Sequence, residues 1–552
     1  MGGFCSSSLM LKPFKVLSSQ VWQSSLALGS GLVMGLAAVP SNEWGLGWIA
    51  MVPLWLGLTL PRSPVTHPLR YWQAPAFYLP LLWGLGFYGY TLIWITGLHP
   101  LMWLGVPWLA SIAIALFCWA FITFWGAALP VIWVALLRWL QRRTGLAAGG
   151  RIFVGANLWA ALEIIWSQGP LAWTNLAFTQ TPGNVVILHL GQLAGPWIIS
   201  LAIAAVNGLL AEALQQQFGR SVNPRPKRLG AIALALFASL HLVGYVLYQR
   251  PLIDAPENQL RIGVIQGNVP TRIKLTDEGI RRAETGYTQG YVDLANTGMQ
   301  AVLTPEGALP FIWNAPAFAK TPFYQAILQK QVPLWLGTFY PEPDGLARSL
   351  ITLSAQGEVL SRYDKIKLVP LGEYTPFASV LGGLINQLSP VQENGKPGTL
   401  NQQFDTPLGR AIAGICYDSV FPNVFQRQAK AGGKFILTSA NLDPYSERLM
   451  VQFEALEVMR AIETDRWLVR ATNTGYSGVI NPKGKVIWRS QPFTYQIYPA
   501  NLYSRATKTL YVVSGDIPIL FTISLLTLGY LLFWVRSQKT AERPSAWVDH
   551  NP

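Results

Sequence analysis

Three polar stretches in the second half of the chain each carry one side chain that could take part in catalysis. Glu306 and Cys416 each follow an apolar run, and Lys365 lies between them in a charged stretch. A thiolate attacks a carbonyl carbon, a carboxylate accepts the thiol proton, and an ammonium lowers the thiol pKa and stabilises an oxyanion. These three side chains together predict acyl transfer through a cysteine thioester.

Each of the three side chains also has an ordinary structural interpretation when it is taken alone. A cysteine that ends a strand is most often a small core residue. Glu306 could cap the helix region that follows it. Lys365 lies beside Arg362 and Lys367, so a solvated basic edge is the default expectation. The catalytic interpretation therefore depends on all three residues lying together.

Other kinds of active site find little support in this sequence. The five histidines lie outside residues 250–510, so no histidine-based triad is available to that region. Zinc-ligand spacing, a P-loop and a Gly-rich dinucleotide loop are also absent from the sequence. We therefore expect no metal and no cofactor.

Residues 260–505 alternate short β-rich runs with helical patterns, which predicts layered α/β packing. Strands are expected over 260–266, 301–304, 334–339, 349–354, 409–416, 435–439, 467–471 and 478–480. Helices are expected over 277–296, 317–331, 421–431 and 446–464. Gln356-Gly357 and Lys483-Gly484 are typical of hairpin turns.

The rest of the chain is typical of a multi-span α-helical membrane bundle, since 51% of all residues are hydrophobic and 12% are charged. Eight apolar runs are long enough to suggest spans. They cover 21–40, 44–60, 76–97, 104–137, 152–166, 193–214, 229–248 and 516–535. Residues 1–249 thus form a membrane domain of about seven helices, 250–510 a catalytic domain, and 511–552 a last span with a tail.

The basic residues indicate which side of the membrane each segment occupies. The net charge of +14 is typical of nucleic-acid binders, but outside 250–510 the basic residues lie in alternate short loops and in the tails. The intervening loops 98–103 and 167–192 contain no Lys or Arg. This positive-inside pattern places both termini in the cytoplasm and residues 250–510 outside. It argues against a nucleic-acid partner.

The motifs around the three reactive residues resemble those of the nitrilase superfamily. They are VIQGNVP at 264–270, TPEGALP at 304–310, YDK at 363–365, VPLGEY at 369–374, ICYD at 415–418 and RATNTG at 470–475. The resemblance implies a four-layer α-β-β-α sandwich with a catalytic triad at Glu306, Lys365 and Cys416. It also assigns supporting or substrate-binding roles to Glu373, Tyr417, Asp418 and Asn441.

With the membrane spans added, the chain resembles the apolipoprotein N-acyltransferase family. The resemblance implies a two-step exchange in which the cysteine takes an acyl chain from a phospholipid. The α-amine of a diacylglyceryl-cysteine on an apolipoprotein then receives that chain. It further implies a monomer in the bacterial inner membrane, with the catalytic domain on the periplasmic side.

Three positions depart from the pattern of that family. Leu275 stands where Trp is frequent, Asp418 stands where Glu is frequent, and residues 440–446 differ from the usual motif. The first and last of these bear on the lipid or acceptor entrance, and thus on donor and acceptor preference.

Residues 374–394 follow Glu373 and carry apolar side chains at helical spacing. One interpretation is a helix packed on the domain core. The alternative is a mobile arm that lies in the membrane interface, which Gly382-Gly383 favours because adjacent glycines weaken a helix. The residues expected to face lipid are Phe377, Leu381, Leu384 and Ile385.

Two other function classes are compatible with parts of the sequence. A membrane-tethered amidase or nitrilase-type hydrolase would use the same three reactive residues but would admit water to the thioester. A non-enzymatic receptor or assembly factor would not need Glu306, Lys365 and Cys416 to be intact. An acyl group on Cys416 together with released lysophospholipid fits only the transferase.

The topology can be tested with a membrane-impermeant thiol reagent on intact cells. We expect a cysteine introduced near Gly345 to react from outside, because the positive-inside pattern places residues 250–510 there. A cysteine near Arg143 should react only after permeabilisation. The opposite accessibility would contradict the assignment.

Overall fold

The computed structural model of the chain describes residues 20–58, 75–218, 224–370, 372–374, 395–443 and 445–522, with 524, 525, 528 and 529. The first part of the described chain is helical, and the second is an α/β domain. The predicted division into a helical bundle and an α/β sandwich is therefore confirmed.

The helical part contains nine α-helices, numbered here in chain order within the described residues. They are α1 (Gln20–Ala37), α2 (Val52–Gly57), α3 (Pro75–Thr91), α4 (Trp108–Thr144), α5 (Ala148–Gln168), α6 (Val185–Leu188), α7 (Gly191–Ala194), α8 (Pro196–Phe218) and α9 (Pro226–Tyr248). Of these, α4, α5, α8 and α9 are long and apolar enough to cross a membrane. They coincide with the fourth to seventh predicted spans.

The second predicted span, 44–60, is not one continuous helix. It consists of a 3-10 helix, Trp44–Trp48, followed by the short α2. Pro53 stands at the start of α2, where the missing N–H is tolerated, and its ring cannot continue a preceding α-helix. The number of spans stays a prediction.

Within its described residues, the α/β domain contains thirteen strands in two sheets. They are β1 (Gln259–Gln266), β2 (Ala301–Leu303), β3 (Leu334–Glu342), β4 (Gly345–Leu353), β5 (Val359–Asp364), β6 (Gly395–Lys396), β7 (Phe404–Thr406), β8 (Gly409–Ile415), β9 (Ile436–Ala440), β10 (Leu468–Thr472), β11 (Gly478–Ile480), β12 (Val486–Arg489) and β13 (Gln496–Tyr503). One sheet has the order β13-β1-β2-β3-β4-β5 with β6 beside β4, and the other β12-β11-β10-β9-β8-β7.

Helices cover the outer face of each sheet and complete four layers. They are α10 (Thr271–Lys274), α11 (Asp277–Asn296), α12 (Ala315–Phe318) and α13 (Pro322–Lys330) beside the first sheet, α14 (Pro422–Lys430) and α15 (Glu447–Thr464) beside the second, and α16 (Leu510–Ser514) after them. The alternation of a strand places Val302 towards the helices while Ala301 and Leu303 face the other sheet. The rings of Trp335 and Phe435 pack between the two sheets, with their centroids 6.2 Å apart.

The strand and helix predictions were accurate where the pattern was apolar. The helix predicted over 277–296 has these bounds, and both hairpin turns form with positive φ at Gly357 and Gly484. Five further strands, β5, β6, β7, β12 and β13, did not emerge from the sequence. Each is partly exposed, so its mixed polar and apolar side chains lack the apolar run of a covered strand.

Helix α15 joins the α/β domain to the helical part through a fully buried glutamine. Gln452 Nε2 donates to the carbonyl oxygens of Thr91 at 2.9 Å and Val39 at 3.2 Å, and its Oε1 accepts from Trp173 Nε1 at 2.9 Å. One side chain thus bonds three separate segments of the helical part. The relative position of the two parts depends on these contacts because each buried polar group needs its partner.

Gln452→Leu should therefore destabilise the protein, because three buried polar groups lose their partner at about 1–3 kcal/mol each. The thermal unfolding of the detergent-solubilised chain measures this loss. Gln289→Leu on the exposed face of α11 is the matched control and should change little. Equal melting temperatures for the two variants would contradict the role of Gln452.

Candidate active site

The side chain of Lys365 occupies the centre of the candidate site and is fully buried. It directly follows β5, and its Nζ lies 2.9 Å from Glu306 Oε1 and 2.7 Å from Glu373 Oε1. Arg348 on β4 lies 3.0 Å from the same oxygen of Glu373 through its Nε. Two cations and two carboxylates thus form one buried, mutually compensated cluster.

Glu306 stands just beyond β2, where the chain turns through Gly307 at a φ of 54°. Its Oε1 bonds Lys365, and its Oε2 accepts from the backbone N–H of Asn441 at 3.1 Å. Asn441 is fixed in turn, since its Oδ1 accepts from Asn473 Nδ2 at 3.1 Å. Both carboxylate oxygens therefore have assigned donors, which sets the orientation of the group.

Cys416 directly follows β8 and begins a 3-10 turn, Cys416–Val420. Its φ of 48° is unusual for a residue with a Cβ, and such strain persists only where the surroundings enforce it. Burial raises the pKa of the thiol well above its ordinary value, while Lys365 and the N–H of Asn441 act in the opposite direction. The resting thiol is therefore protonated.

The two charged partners of the thiol are ionised at neutral pH. Burial acts to raise the pKa of Glu306, but the charge and hydrogen bond of Lys365 together with the charges of Arg348 and Lys274 outweigh it, and the net shift is downward. Burial acts to lower the pKa of Lys365, but Cys416, Glu306 and Glu373 outweigh it and raise that pKa. The site thus pairs a protonated thiol with a carboxylate that can accept its proton.

Asp418 is fully buried and ties the Cys416 turn to the chain around Lys365. Its carboxylate accepts from the N–H groups of Ile415 at 3.0 Å and Lys367 at 2.7 Å, and from the hydroxyl of Tyr363 at 3.0 Å. Burial raises the pKa of Asp418 to about 6 although these bonds favour its charged form. Asp418 therefore orders the backbone around Cys416 and Lys365, which fits a supporting role.

Tyr417 points from the nucleophile turn into the helical part of the molecule. Its hydroxyl lies 2.6 Å from Ala172 O and 2.9 Å from Pro170 O, and its single proton serves one of them at a time. The ring also stacks with Trp173 at 6.3 Å between centroids. The residue after the thiol is thus anchored to the segment that follows α5.

The structure brings six of the seven supporting and reactive residues named from the sequence to one place, and Tyr417 links them to the helical part. Sequence reasoning missed Arg348, whose only signal is a lone charge inside the apolar strand β4. Leu275 is exposed, with 68% of its surface accessible. The arm residues Phe377, Leu381, Leu384 and Ile385 lie outside the described residues.

The described residues contain no group of three or more His, Cys, Asp or Glu side chains that could hold a metal ion. The polar groups around the thiol bond to one another instead.

Comparisons with known proteins cover nearly the whole chain. Residues 261–508 match the family model of carbon-nitrogen hydrolases, and residues 30–209 match that of the apolipoprotein N-acyltransferase N-terminal domain. Among solved structures, the C. elegans NitFhit protein is similar at 18% identity with a TM-score of 0.36, over 48% of this chain and 64% of that one.

Two relatives are similar over their full length. An apolipoprotein N-acyltransferase of Nostoc sp. is 46% identical over 91% of this chain and 98% of its own. One of Synechocystis sp. is 44% identical over 92% of this chain and 100% of its own. The carbon-nitrogen hydrolase domain, its helical partner and these relatives show that the chain belongs to the apolipoprotein N-acyltransferase family.

Proposed function

We propose that this chain transfers an acyl chain from a phospholipid to the α-amine of the N-terminal diacylglyceryl-cysteine of an apolipoprotein. The observation that carries the proposal is the buried ammonium of Lys365, which bonds the carboxylates of Glu306 and Glu373 at 2.9 and 2.7 Å beside Cys416. The names of the relatives supply the acceptor class.

In the first step the thiol of Cys416 attacks the ester carbonyl of the phospholipid. Glu306 accepts the thiol proton, and Lys365 stabilises the oxyanion. Collapse of the tetrahedral intermediate breaks the ester bond, and Glu306 returns the proton to the departing oxygen. The products are a thioester on Cys416 and a lysophospholipid.

In the second step the α-amine of the acceptor attacks the thioester carbonyl. Glu306 accepts a proton from the amine, the C–S bond breaks, and the proton returns to the sulfur of Cys416. An amide forms and the enzyme is restored. The donor is already an ester and supplies the acyl group, so the exchange balances without a cofactor.

The membrane part supports a lipid donor because it lies directly against the nucleophile turn. Tyr417 bonds Ala172 O, and residues 167–192 belong to an outer loop under the proposed topology. The catalytic domain would then lie on the periplasmic side with both termini in the cytoplasm. We further propose that the chain acts as a monomer, since Glu306, Lys365 and Cys416 all come from one chain.

The nucleophile is tested by the replacement Cys416→Ala in the full chain with a phospholipid donor. Intact-protein mass spectrometry should show an acyl group on the wild type and none on the variant, because no other thiol of the described residues lies beside Lys365. Cys118→Ala, which removes the half-buried thiol of α4, is the matched control and should be acylated normally. Acylation of Cys416→Ala would refute the assignment.

The pH dependence of the first step tests Glu306 as the base. The pKa of Glu306 lies below the ordinary Glu value of about 4.3. The carboxylate is therefore ionised at neutral pH and becomes protonated only when the pH falls through this lowered pKa. Protonation of Glu306 should therefore slow acyl-enzyme formation without acceptor only at about pH 4 or below. The pKa of Asp418 is about 6, so the profile is also measured in Asp418→Asn. A decline near pH 6 that persists in this variant and is reversed at neutral pH would exclude Glu306 as the base.

A further inference from the structure

Lys274 is a second buried lysine beside the site, and the two-step exchange described above does not use it. It is the last residue of α10, and 7% of its surface is accessible. Its Nζ donates to the backbone oxygen of Glu306 at 3.3 Å. The next residue, Leu275, is largely exposed, so Lys274 lies between the base and the surface.

The ammonium of Lys274 has no carboxylate at ion-pair distance among the described residues. The nearest negative charges are Glu306 and Asp443, which raise its pKa but do not offset burial, and the pKa falls to about 8. Glu306 bonds Lys365 instead, and Asp443 Oδ2 accepts from the N–H of Thr271 at 2.6 Å. Lys274 is therefore mainly cationic at neutral pH.

Lys274 differs from the other two buried cations of the site in that it forms no ion pair with the described residues. Lys365 and Arg348 are compensated by Glu306 and Glu373, with which they form direct ion pairs. Lys274 adds a positive charge that the described side chains do not neutralise. A buried charge is costly unless it is paired, so an anion that enters with the substrate would be stabilised here.

We propose that Lys274 binds the phosphodiester group of the acyl donor. This inference rests on the proposed function, and it names the feature of the donor that the site recognises. The phosphodiester shares one glycerol with the ester that Cys416 attacks, so it lies only a few bonds from the reacting carbonyl. Lys274 donates to the backbone oxygen of Glu306, the residue that accepts the thiol proton, so its charge lies beside the base of the reaction.

The alternative role is purely structural, with Lys274 holding the backbone of Glu306. The two roles differ in how they depend on the donor. Loss of a phosphate contact slows acylation only by those donors that carry a phosphate group. Loss of support for Glu306 slows acylation by every donor, because the base serves all of them.

The test measures acylation of Cys416 in the full chain with two donors that share an acyl chain. One is phosphatidylglycerol, and the other is the neutral p-nitrophenyl ester of the same fatty acid. Lys274→Met should slow acylation by phosphatidylglycerol by about tenfold or more and leave the neutral ester within about twofold. Lys330→Met removes an exposed ammonium that bonds Asn296 and should leave both rates unchanged.

Lys274→Arg keeps the positive charge and provides the second variant. The ratio of its two rates should stay near that of the wild type even if both rates fall, whereas a collapse of this ratio would overturn the proposal. Equal losses with both donors in Lys274→Met would also overturn it in favour of the structural role. An unchanged rate of Lys274→Met with phosphatidylglycerol would overturn the proposal as well.

Two further arms separate the possible causes of failure. Inorganic phosphate added to the neutral ester reaction should have no effect, and an acceleration that requires Lys274 would assign the site to a free anion instead of the lipid. If neither donor acylates the wild type at Cys416, the proposed function itself fails. A wild type that reacts with both donors and a Lys274→Met variant that matches it refute only the role of Lys274.

Discussion

The buried ammonium of Lys365 is the interaction on which the rest of the site depends. A fully desolvated charge is costly, and it is tolerated only where opposite charges and hydrogen bonds compensate it. Glu306 and Glu373 supply that compensation at 2.9 and 2.7 Å. Removing one partner of such a buried pair costs about 3–5 kcal/mol, because the other charge is left unpaired. The fold must therefore deliver three charged side chains from separate segments to one point.

The sandwich meets this requirement because the three reactive residues follow strands of both sheets. Glu306 and Lys365 follow β2 and β5 of the first sheet, and Cys416 follows β8 of the second. Asp418 then joins the two halves, since its carboxylate accepts N–H groups both from the Cys416 turn and from the segment after Lys365. One buried carboxylate thus holds the Cys416 turn and the Lys365 segment together. It does so through backbone N–H groups, which do not depend on the side chains at those positions.

The sequence predicts those site residues whose reactive side chains stand next to recognisable apolar or charged stretches. It does not predict contacts that arise only when distant segments pack together. Glu306, Lys365 and Cys416 stand at the ends of apolar runs or in charged stretches, so their positions were predictable. The N–H of Asn441 and the ion pair of Arg348 were not, because both depend on long-range packing that brings distant segments together. The strand β5 escaped prediction for a related reason: partial exposure removed the apolar run that reveals a buried strand. Gln452 gave no signal because a polar residue on an amphipathic helix is ordinarily solvated.

The contact between the nucleophile turn and the membrane part bears on the choice between transfer and hydrolysis. A thioester that waits for an amine must be protected from water, whereas a hydrolase must admit water. Cys416 lies one residue from Tyr417, whose hydroxyl and ring are both engaged by the segment after α5. Glu306, Lys365 and Asp418 are buried around it, and Gln452 bonds α15 to three segments of the helical part. Cys416 itself is partly accessible, but the polar groups around it already hold protein partners. The packing that docks the two parts therefore favours the α-amine of the diacylglyceryl-cysteine over water as the acceptor.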